Sequence, residues 1–296
     1  MFRLGIIGMS PGNGHPYSWS ALCNGYRKQY MDTSGFPVIS DYLSAQTYPE
    51  DFIQDAVVSH IWTQDHALSS HIAKASNIET VVTDFRDMIG CVDGILLARD
   101  DASMRLHFLK SLLPSGLPIY VDKPLALTVH AAKEILALQS YPGQIFSCSA
   151  LRFANELCLD QQGLNSIGGL LRIIGVTPKS WNTYSPHIIE PIRIFYPSFF
   201  DKVVSKQSCR SFDRVKLSGT CASGLEFEFC SMGGVNVPIH LVLVGEQASV
   251  KLVFSDSFHA FKSALRYFLD TSCVRIKGIS TDDMLSTVSL IEAGNL

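Results

Sequence analysis

The sequence predicts an α/β chain of two domains, with a doubly wound parallel sheet at 1–149 and an α+β domain with a largely antiparallel open sheet at 150–296. Two observations carry this prediction. In the first half, unbroken apolar runs alternate with segments of helical period, which is typical of a parallel sheet covered on both faces. In the second half, strand-like runs follow one another with little helix between them, and several alternate apolar with polar residues.

The first half contains six short apolar runs that we interpret as strands. Segments with apolar residues three or four positions apart lie between most of them and predict the connecting helices. Ligands of a doubly wound sheet bind beyond the carboxyl ends of its strands, so a site is expected there. The predicted strands lie at 2–7, 57–62, 80–82, 92–97, 117–121 and 144–148.

The second half predicts further strands at 170–174, 213–217, 225–229 and 240–244. Helical period returns at 258–269. It returns again after Ser280-Thr281-Asp282-Asp283, a pattern typical of a helix start.

Composition excludes several classes of protein. With 47% hydrophobic residues, 17% charged residues and a net charge of -3, the chain is typical of a globular protein without a nucleic-acid partner. No apolar stretch reaches the roughly 18 residues of a membrane span, and the apolar run at the N-terminus is too short for a signal peptide. We therefore expect a cytoplasmic protein without a membrane partner. The eight cysteines form no C-x-x-C pair, so no metal site is expected.

One connection is unusually long. Residues 27–54 separate the first helix from the second strand, where about 2–6 residues are usual. This segment is either a functional loop over a cofactor site, a surface that packs on a partner, or plain surface decoration.

A glycine-rich turn follows the first strand and reads Gly8-Met9-Ser10-Pro11-Gly12-Asn13-Gly14-His15. A dinucleotide site needs a tight turn, bare backbone near the diphosphate and a helix N-terminus. The spacing differs from G-x-G-x-x-G, but the position between the first strand and first helix favours phosphate binding over a structural turn. The turn predicts a Rossmann-like dinucleotide-binding domain with cofactor contacts at Gly8, Ser10, Gly12, Asn13, Gly14 and His15.

The acid that binds the ribose of NAD should end the second strand. Thr63 and Gln64 stand there, and we expect both to contact the cofactor. Asp41 would be the alternative if 36–40 formed the second strand, but Pro37 argues against a strand at that position. Neither an acid for NAD nor an arginine for NADP is evident, so the choice of cofactor stays open.

These stretches together resemble the Gfo/Idh/MocA family of glucose-fructose oxidoreductases and inositol dehydrogenases. The resemblance covers nearly the whole chain, and its most specific part is Tyr120-Val121-Asp122-Lys123-Pro124-Leu125-Ala126, where the family usually has Glu-Lys-Pro. The other matching stretches are the glycine-rich start, Val92-Asp93-Gly94-Ile95-Leu96-Leu97-Ala98, Ser149-Ala150-Leu151-Arg152-Phe153, Thr281-Asp282-Asp283-Met284-Leu285 and Ile291-Glu292-Ala293.

The resemblance implies that Lys123 contacts both the nicotinamide ribose region and the substrate hydroxyl, and that Pro124 fixes the loop. The cofactor contacts expected here are Asp122, Lys123, Pro124 and, after the fourth strand, Arg99. The position of Lys123 supports its role independently, because a lysine at a strand's carboxyl end and a domain seam is partly desolvated and can bind a reacting oxygen. The alternative is a surface lysine followed by a structural proline.

Oxidation of an alcohol also needs a base for the hydroxyl proton, and histidine is the usual one. The family pattern is Asp-x-x-x-His, which places the base at His187, with Thr183 where the aspartate stands. Tyr184 or Glu190 is a candidate substitute for that carboxylate. The alternative is that His187 is a structural residue whose hydrogen bonds are satisfied at the start of a helix.

Two arginines complete the candidate set. Arg99 follows the fourth strand with Asp100 and Asp101, and is either an anion or substrate clamp or part of a paired Arg/Asp cluster. Arg152 either binds substrate or braces the domain seam.

The resulting expectation is an NAD- or NADP-dependent oxidoreductase that transfers hydride at a hydroxyl or keto carbon of a sugar, cyclitol or nucleotide sugar. The catalytic residues would be Lys123 and His187, and the substrate would also contact Arg152, Thr183 and Tyr184. The alternatives are a sensor or regulatory protein with little turnover, and an enzyme that oxidises its substrate transiently during glycoside cleavage or epimerisation. The resemblance, and the need to cover an open sheet, imply a homodimer or homotetramer.

Overall fold

The computed structural model of the protein describes residues 1–197, 203–273 and 276–296. Contacts between α-carbons divide the chain into two compact units. The first comprises Met1–Leu125, Glu134–Ser147 and Phe261–Ser280, and the second comprises Ala126–Lys133, Cys148–Ala260 and Thr281–Leu296.

A six-stranded parallel sheet forms the centre of the first unit, as the sequence predicts. Its strands are β1 Phe2–Ile7, β2 Ala56–Trp62, β3 Thr80–Val81, β4 Gly94–Leu97, β5 Ile119–Val121 and β6 Ile145–Phe146. They lie in the order β3-β2-β1-β4-β5-β6, and every neighbouring pair is parallel. The winding reverses between β1 and β4, so the carboxyl ends of these two strands flank the position where doubly wound sheets bind ligands.

Helices connect most of these strands. The helices are α1 His15–Asn24, α2 Lys28–Met31, α3 Pro37–Ser44, α4 His66–Ala75, α5 Arg105–Leu112 and α6 Val129–Leu136. The strands between them are almost fully buried, for example Leu4 and Ile6 in β1. This burial on both sheet faces explains why the strands lack an alternating pattern.

The long 27–54 connection contains the helices α2 and α3. Asp41 lies on α3 and not at the end of a strand, so it is not the acid at the end of the second strand. The segment packs within the first unit: Leu43 is fully buried, and Tyr42 Oη donates a hydrogen bond to Ser18 Oγ at 2.5 Å.

A second six-stranded sheet forms the centre of the second unit. Its strands are β7 Leu170–Thr177, β8 Val203–Ser211, β9 Arg214–Cys221, β10 Glu226–Ser231, β11 His240–Gly245 and β12 Ser249–Val253. They lie in the order β12-β11-β7-β10-β9-β8, and only the β7–β10 pair is parallel. The largely antiparallel sheet is therefore confirmed.

The remaining helices are α7 Gln161–Ile167, α8 Trp181–Tyr184, α9 Pro186–Ile189, α10 Ile192–Phe195, α11 Ser257–Ser272 and α12 Thr281–Ala293. The structure adds two strands that the sequence pattern did not predict, β8 and β12. Both lie at the edges of the sheet, where strands have a neighbour on one side only and need fewer apolar residues.

Candidate functional site

The turn after β1 needs its glycines for different reasons. A Cβ at Gly14 would lie 2.7 Å from Ile39 Cδ1 and 2.9 Å from Phe36 Cγ, so close packing against the 27–54 segment requires this glycine. Gly12 has a φ of 77°, and nothing lies within 4 Å of a Cβ built on it. Gly12 therefore combines the left-handed backbone with the open space that a phosphate needs to approach the chain.

Helix α1 starts directly after this turn, but its first positions offer few backbone donors. The N–H of His15 donates to Asn13 Oδ1 at 2.9 Å, and Pro16 has no N–H. The ring of Pro16 also fills the space beside Gly8. Because dinucleotide sites usually direct the first N–H groups of this helix at the diphosphate, an anion bound here depends more on the turn and on side chains.

Lys123 directly follows β5 and is 5% exposed. Its Nζ lies 3.7 Å from Asp100 Oδ2, and Asp100 Oδ1 accepts a hydrogen bond from Ser10 Oγ at 2.5 Å. The peptide bond between Lys123 and Pro124 is cis. Ser10, Asp100 and Lys123 thus connect the carboxyl ends of β1, β4 and β5, the sheet edge at which the sequence predicts a site.

Asp122 is a buried carboxylate at the centre of this cluster. It accepts hydrogen bonds from Asn13 Nδ2 at 2.9 Å and from the Lys123 N–H at 2.7 Å, and its Oδ2 lies 2.7 Å from His15 Nδ1. Burial opposes ionisation of Asp122, but the nearby His15 and Lys123 outweigh it and hold the pKa of the carboxyl far below its usual range. Asp122 is therefore an anion that binds the glycine turn to the β5 loop.

The ring of His15 is fixed by its neighbours. It stacks on Trp19 with ring centroids 4.8 Å apart, and Phe261 meets it edge-on at 5.1 Å. With its Nδ1 against Asp122, the side chain is 16% exposed. The result is an oriented, partly accessible imidazole at the start of α1.

Arg105, which the sequence pattern did not single out, also lies in this cluster. It is 1% exposed, and its guanidinium donates hydrogen bonds to the carbonyl oxygens of Arg99, Asp122 and Pro124. Burial lowers the pKa of Arg105 to about 10, so the group remains charged at neutral pH. Arg105 therefore holds the loops after β4 and β5 around Lys123.

Arg99 is part of a paired Arg/Asp cluster, one of the two arrangements that the sequence left open. Its guanidinium donates to both carboxylate oxygens of Asp101, at 3.0 and 2.5 Å, and lies over the ring of Phe108. Its Nη1 donates to Gln64 Oε1 at 2.9 Å, while Gln64 Nε2 donates to the Met9 carbonyl at 2.8 Å. Gln64 thus links the end of β2 to the glycine turn.

The side chains at the end of β2 bond to neighbouring residues and to the backbone of α4. Thr63 Oγ1 donates to the Asp65 carbonyl at 2.6 Å, and it lies 2.9 Å from Ser69 Oγ. The Asp65 carboxylate caps α4 by accepting the N–H groups of Ala67 and Leu68.

His187 lies in the second unit and is 7% exposed. Pro186 begins helix α9, as the sequence predicts. His187 Nδ1 lies 2.7 Å from Ser149 Oγ, a neighbour that the sequence pattern did not indicate. The ring of Tyr184 meets the imidazole edge-on at 5.0 Å.

The other candidates on α8 have local partners. Thr183 Oγ1 lies 2.7 Å from Ser180 Oγ, and Tyr184 Oη accepts a hydrogen bond from Lys179 Nζ at 2.6 Å. His60, in β2, is buried, and its Nδ1 lies 2.8 Å from Ser59 Oγ.

A buried cluster of charges lies close to Ser149 in the second unit. Glu190 accepts a hydrogen bond from the Ser149 N–H, and its Oε2 lies 3.9 Å from Arg152 Nη1. Asp283 pairs with Arg152 at 3.2 Å and with Arg193 at 2.8 Å. Burial, opposed by Arg152 and Arg193, raises the pKa of Glu190 to about 7. Arg152 therefore has ion-pair partners within this unit.

Glu190→Gln is expected to change how the stability of the protein depends on pH. Because the pKa of Glu190 is about 7 in the folded chain and ordinarily 4.5, the stability gained from its protonated form is complete below about pH 4.5 and is lost as the pH rises through 7. The variant should lack this loss, which amounts to roughly 3 kcal/mol of unfolding free energy. Urea unfolding across this pH range measures it, with the exposed Glu246→Gln as the matched control; equal slopes for both variants would contradict the expectation.

Two kinds of feature are absent from the described part of the chain. No group of three or more His, Cys, Asp or Glu side chains is arranged to hold a metal ion. No described helix is both long and apolar enough to cross a membrane.

Comparison with known proteins gives a likeness of fold. No family model and no curated protein matches the sequence. Solved structures do match. Myo-inositol 2-dehydrogenase from Lactobacillus plantarum has a TM-score of 0.73 and 14% identity, covering 99% of this chain and 96% of that one.

Two further structures match over similar lengths. A myo-inositol dehydrogenase from Corynebacterium glutamicum has a TM-score of 0.69 and 13% identity, covering 100% of this chain and 96% of that one. A levoglucosan dehydrogenase, solved with NADH and levoglucosan, has a TM-score of 0.73 and 13% identity, covering 99% and 96%. The protein therefore has the two-domain Rossmann-like fold of these dehydrogenases.

Proposed function

We propose that the protein is a nicotinamide-dependent oxidoreductase that acts on a hydroxyl or keto carbon of a sugar, cyclitol or nucleotide sugar. The observation that carries the proposal is the buried Lys123 at the carboxyl end of β5, beside the glycine turn and next to Asp100 and Asp122. A buried ammonium group at the ligand-binding edge of a doubly wound sheet is suited to bind a reacting oxygen. The similar folds include a dehydrogenase solved with NADH and a sugar derivative, which supports the same class.

The residues at this edge fit a dinucleotide. Gly12 leaves the backbone open for the diphosphate, and Ser10, His15 and Lys123 supply polar groups on the sides of β1 and β5. Bound there, the nicotinamide would supply the hydride acceptor or donor.

The side chains of this chain would then do the rest of the chemistry. Lys123 would donate a hydrogen bond to the substrate oxygen and stabilise the negative charge that develops on it. Arg105 would keep the loop of Lys123 in place through its bonds to the Asp122 and Pro124 carbonyls. The assignment of His187 as acid and base stays a prediction from the resemblance. Its Nδ1 lies 2.7 Å from Ser149 Oγ, which fixes the orientation of the ring.

A second candidate function is a sensor that binds dinucleotide and sugar without turnover. The observation that favours it is Thr183, which stands at the position where the family pattern has an aspartate and whose Oγ1 lies 2.7 Å from Ser180 Oγ.

The test is a binding titration with NADH and NADPH, followed by a rate assay with sugars, inositols and nucleotide sugars that monitors nicotinamide absorbance. Binding with turnover on any of these substrates supports the oxidoreductase. Tight binding without turnover across the panel favours the sensor, and absence of binding by both cofactors contradicts both candidates.

A further inference from the structure

A hydrogen-bonded pair bridges the ends of β1 and β4, where the winding of the first sheet reverses. Ser10 Oγ donates to Asp100 Oδ1 at 2.5 Å, and the Asp100 N–H donates back to Ser10 Oγ at 3.2 Å. Doubly wound sheets bind their ligands in the crevice at this position. The pair of Ser10 and Asp100 therefore lies across the crevice that a dinucleotide enters.

The second carboxylate oxygen of Asp100 faces Lys123. Asp100 Oδ2 lies 3.7 Å from Lys123 Nζ. Ser10 and Lys123 are among the polar groups that the proposed function assigns to the ligands, and they are only 2% and 5% exposed. One carboxylate thus contacts both the hydroxyl and the ammonium group that an incoming anion needs.

The other cations of this edge have partners within the chain. Arg99 donates to both carboxylate oxygens of Asp101, and Arg105 donates to three backbone carbonyls. Helix α1 adds little, because the N–H of His15 donates to a side chain of the turn and Pro16 has no N–H. A diphosphate bound here therefore depends on the donors that Asp100 contacts.

Three carboxylates lie at this edge, and Asp100 is the one that is least fixed. The side chain of Asp122 is 2% exposed and contacts both the glycine turn and the β5 loop, and Asp101 forms a bidentate pair with Arg99. The side chain of Asp100 is 20% exposed, and within the described residues its one hydrogen-bond donor is Ser10. Asp100 can therefore turn out of the crevice by breaking one hydrogen bond and one long ion pair.

We infer that Asp100 sets the affinity of this site for diphosphate ligands, because its carboxylate contacts Ser10 and Lys123 and is displaced from Ser10 when a diphosphate binds. The inference rests on the proposed function, since it assumes that a dinucleotide binds at the glycine turn. A carboxylate at this position also repels an approaching phosphate, and like charges that face each other across an interface weaken binding. Removing the charge of Asp100 should therefore strengthen cofactor binding, whereas loss of a residue that only supports the fold should weaken it.

Isothermal titration calorimetry of the full chain tests this expectation. NADH and ADP-ribose, which both carry the diphosphate, are titrated into the native chain and into Asp100→Asn. The variant keeps the size of the side chain and an oxygen that accepts from Ser10, but it loses the charge. We expect dissociation constants roughly tenfold lower in the variant. Adenosine, which lacks the diphosphate, should bind equally to both chains.

Two further variants separate the charge of Asp100 from the shape of its side chain and from the net charge of the protein. Asp100→Glu keeps the carboxylate, so it should bind NADH no more tightly than the native chain. Glu79→Gln removes a negative charge from an exposed side chain directly before β3, at the opposite edge of the sheet, and should leave the affinity unchanged. Circular dichroism checks that each variant folds.

The hydroxyl of Ser10 supplies an independent readout. In the native chain this hydroxyl exchanges the Asp100 carboxylate for the diphosphate on binding, so its removal costs little net affinity. In Asp100→Asn it gives up only a neutral acceptor, and hydrogen bonds to neutral groups are weaker than those to charged groups. We therefore expect Ser10→Ala to weaken NADH binding by a factor roughly threefold larger in the Asp100→Asn background than in the native chain.

Each outcome decides the inference. Tighter binding of NADH and ADP-ribose to Asp100→Asn, without a gain for adenosine, Asp100→Glu or Glu79→Gln, supports it. Unchanged or weaker NADH binding to Asp100→Asn, or an equal gain in any of these controls, overturns the inference and leaves the proposed function intact. If NADH, NADPH and ADP-ribose bind neither to the native chain nor to Asp100→Asn, the proposed function itself is wrong, and the inference with it.

Discussion

Replacing Lys123 by methionine is expected to lower kcat/KM by about a thousandfold, since loss of a single preorganised donor to a developing oxyanion commonly costs 10²–10³ in rate. Methionine keeps the length and apolar stem of the side chain but removes the ammonium group. Asp100 would also lose the cation 3.7 Å from its carboxylate. The change in kcat/KM is obtained from initial rates, followed through nicotinamide absorbance. The substrate is one found to turn over among the sugars, inositols and nucleotide sugars of the rate assay.

Two further variants make this result specific. Lys110→Met, on the exposed face of α5, is the matched control and should keep the native rate. Lys123→Arg retains the charge but not the compact ammonium, so we expect only partial activity. If Lys123→Met stays within tenfold of the native kcat/KM while Lys110→Met is unchanged, Lys123 does not contact the reacting oxygen.

The position of Lys123 was predictable because local pattern and topology agree there. An apolar run ending in Asp122-Lys123-Pro124 indicates a buried strand, and parallel strands of one sheet bring their carboxyl ends to a common edge. The same reasoning placed the glycine turn beside it. The contacts of Asp122 were not predictable, because His15 and Asn13 lie more than a hundred positions away in the chain.

The sequence contains a pattern that indicates the burial of Arg105. Arg105 occupies the first position of an i, i+3, i+4, i+7 set with Phe108, Leu109 and Leu112, all of which are buried. A charged residue in an apolar face contradicts the helical pattern unless it has buried partners. The pattern alone cannot name those partners, since they are carbonyl groups of two distant loops.

The surroundings of His187 illustrate a different limit. The sequence spacing makes Thr183, four positions earlier, the expected neighbour of the imidazole. In the structure, the side chain of Ser149 lies against Nδ1. Ser149 lies 38 positions away and also caps the turn that starts at Ala150. A serine at such a distance has no periodic relation to the histidine, so only the tertiary fold brings the two together.

Arg105→Met is expected to lower the free energy of unfolding by about 3–5 kcal/mol, because each buried carbonyl oxygen that loses its donor costs roughly 1–3 kcal/mol. The variant would leave the carbonyl oxygens of Asp122 and Pro124 without this donor, in a region closed to water. Urea unfolding followed by circular dichroism measures the change. Lys110→Met, on the same helix, supplies the control for loss of a positive charge from α5.

Arg105→Lys separates charge from geometry. A lysine ammonium is a compact point charge and cannot reproduce the planar fork that serves three carbonyl groups in two loops, so the stability of this variant should lie between the native chain and Arg105→Met. Because the same bonds fix the loop of Lys123, the folded variant should also lose kcat while its KM changes little. A stability change below about 1 kcal/mol for Arg105→Met would mean that the loops after β4 and β5 are held by the sheet alone, and Arg105 would then have no part in positioning Lys123.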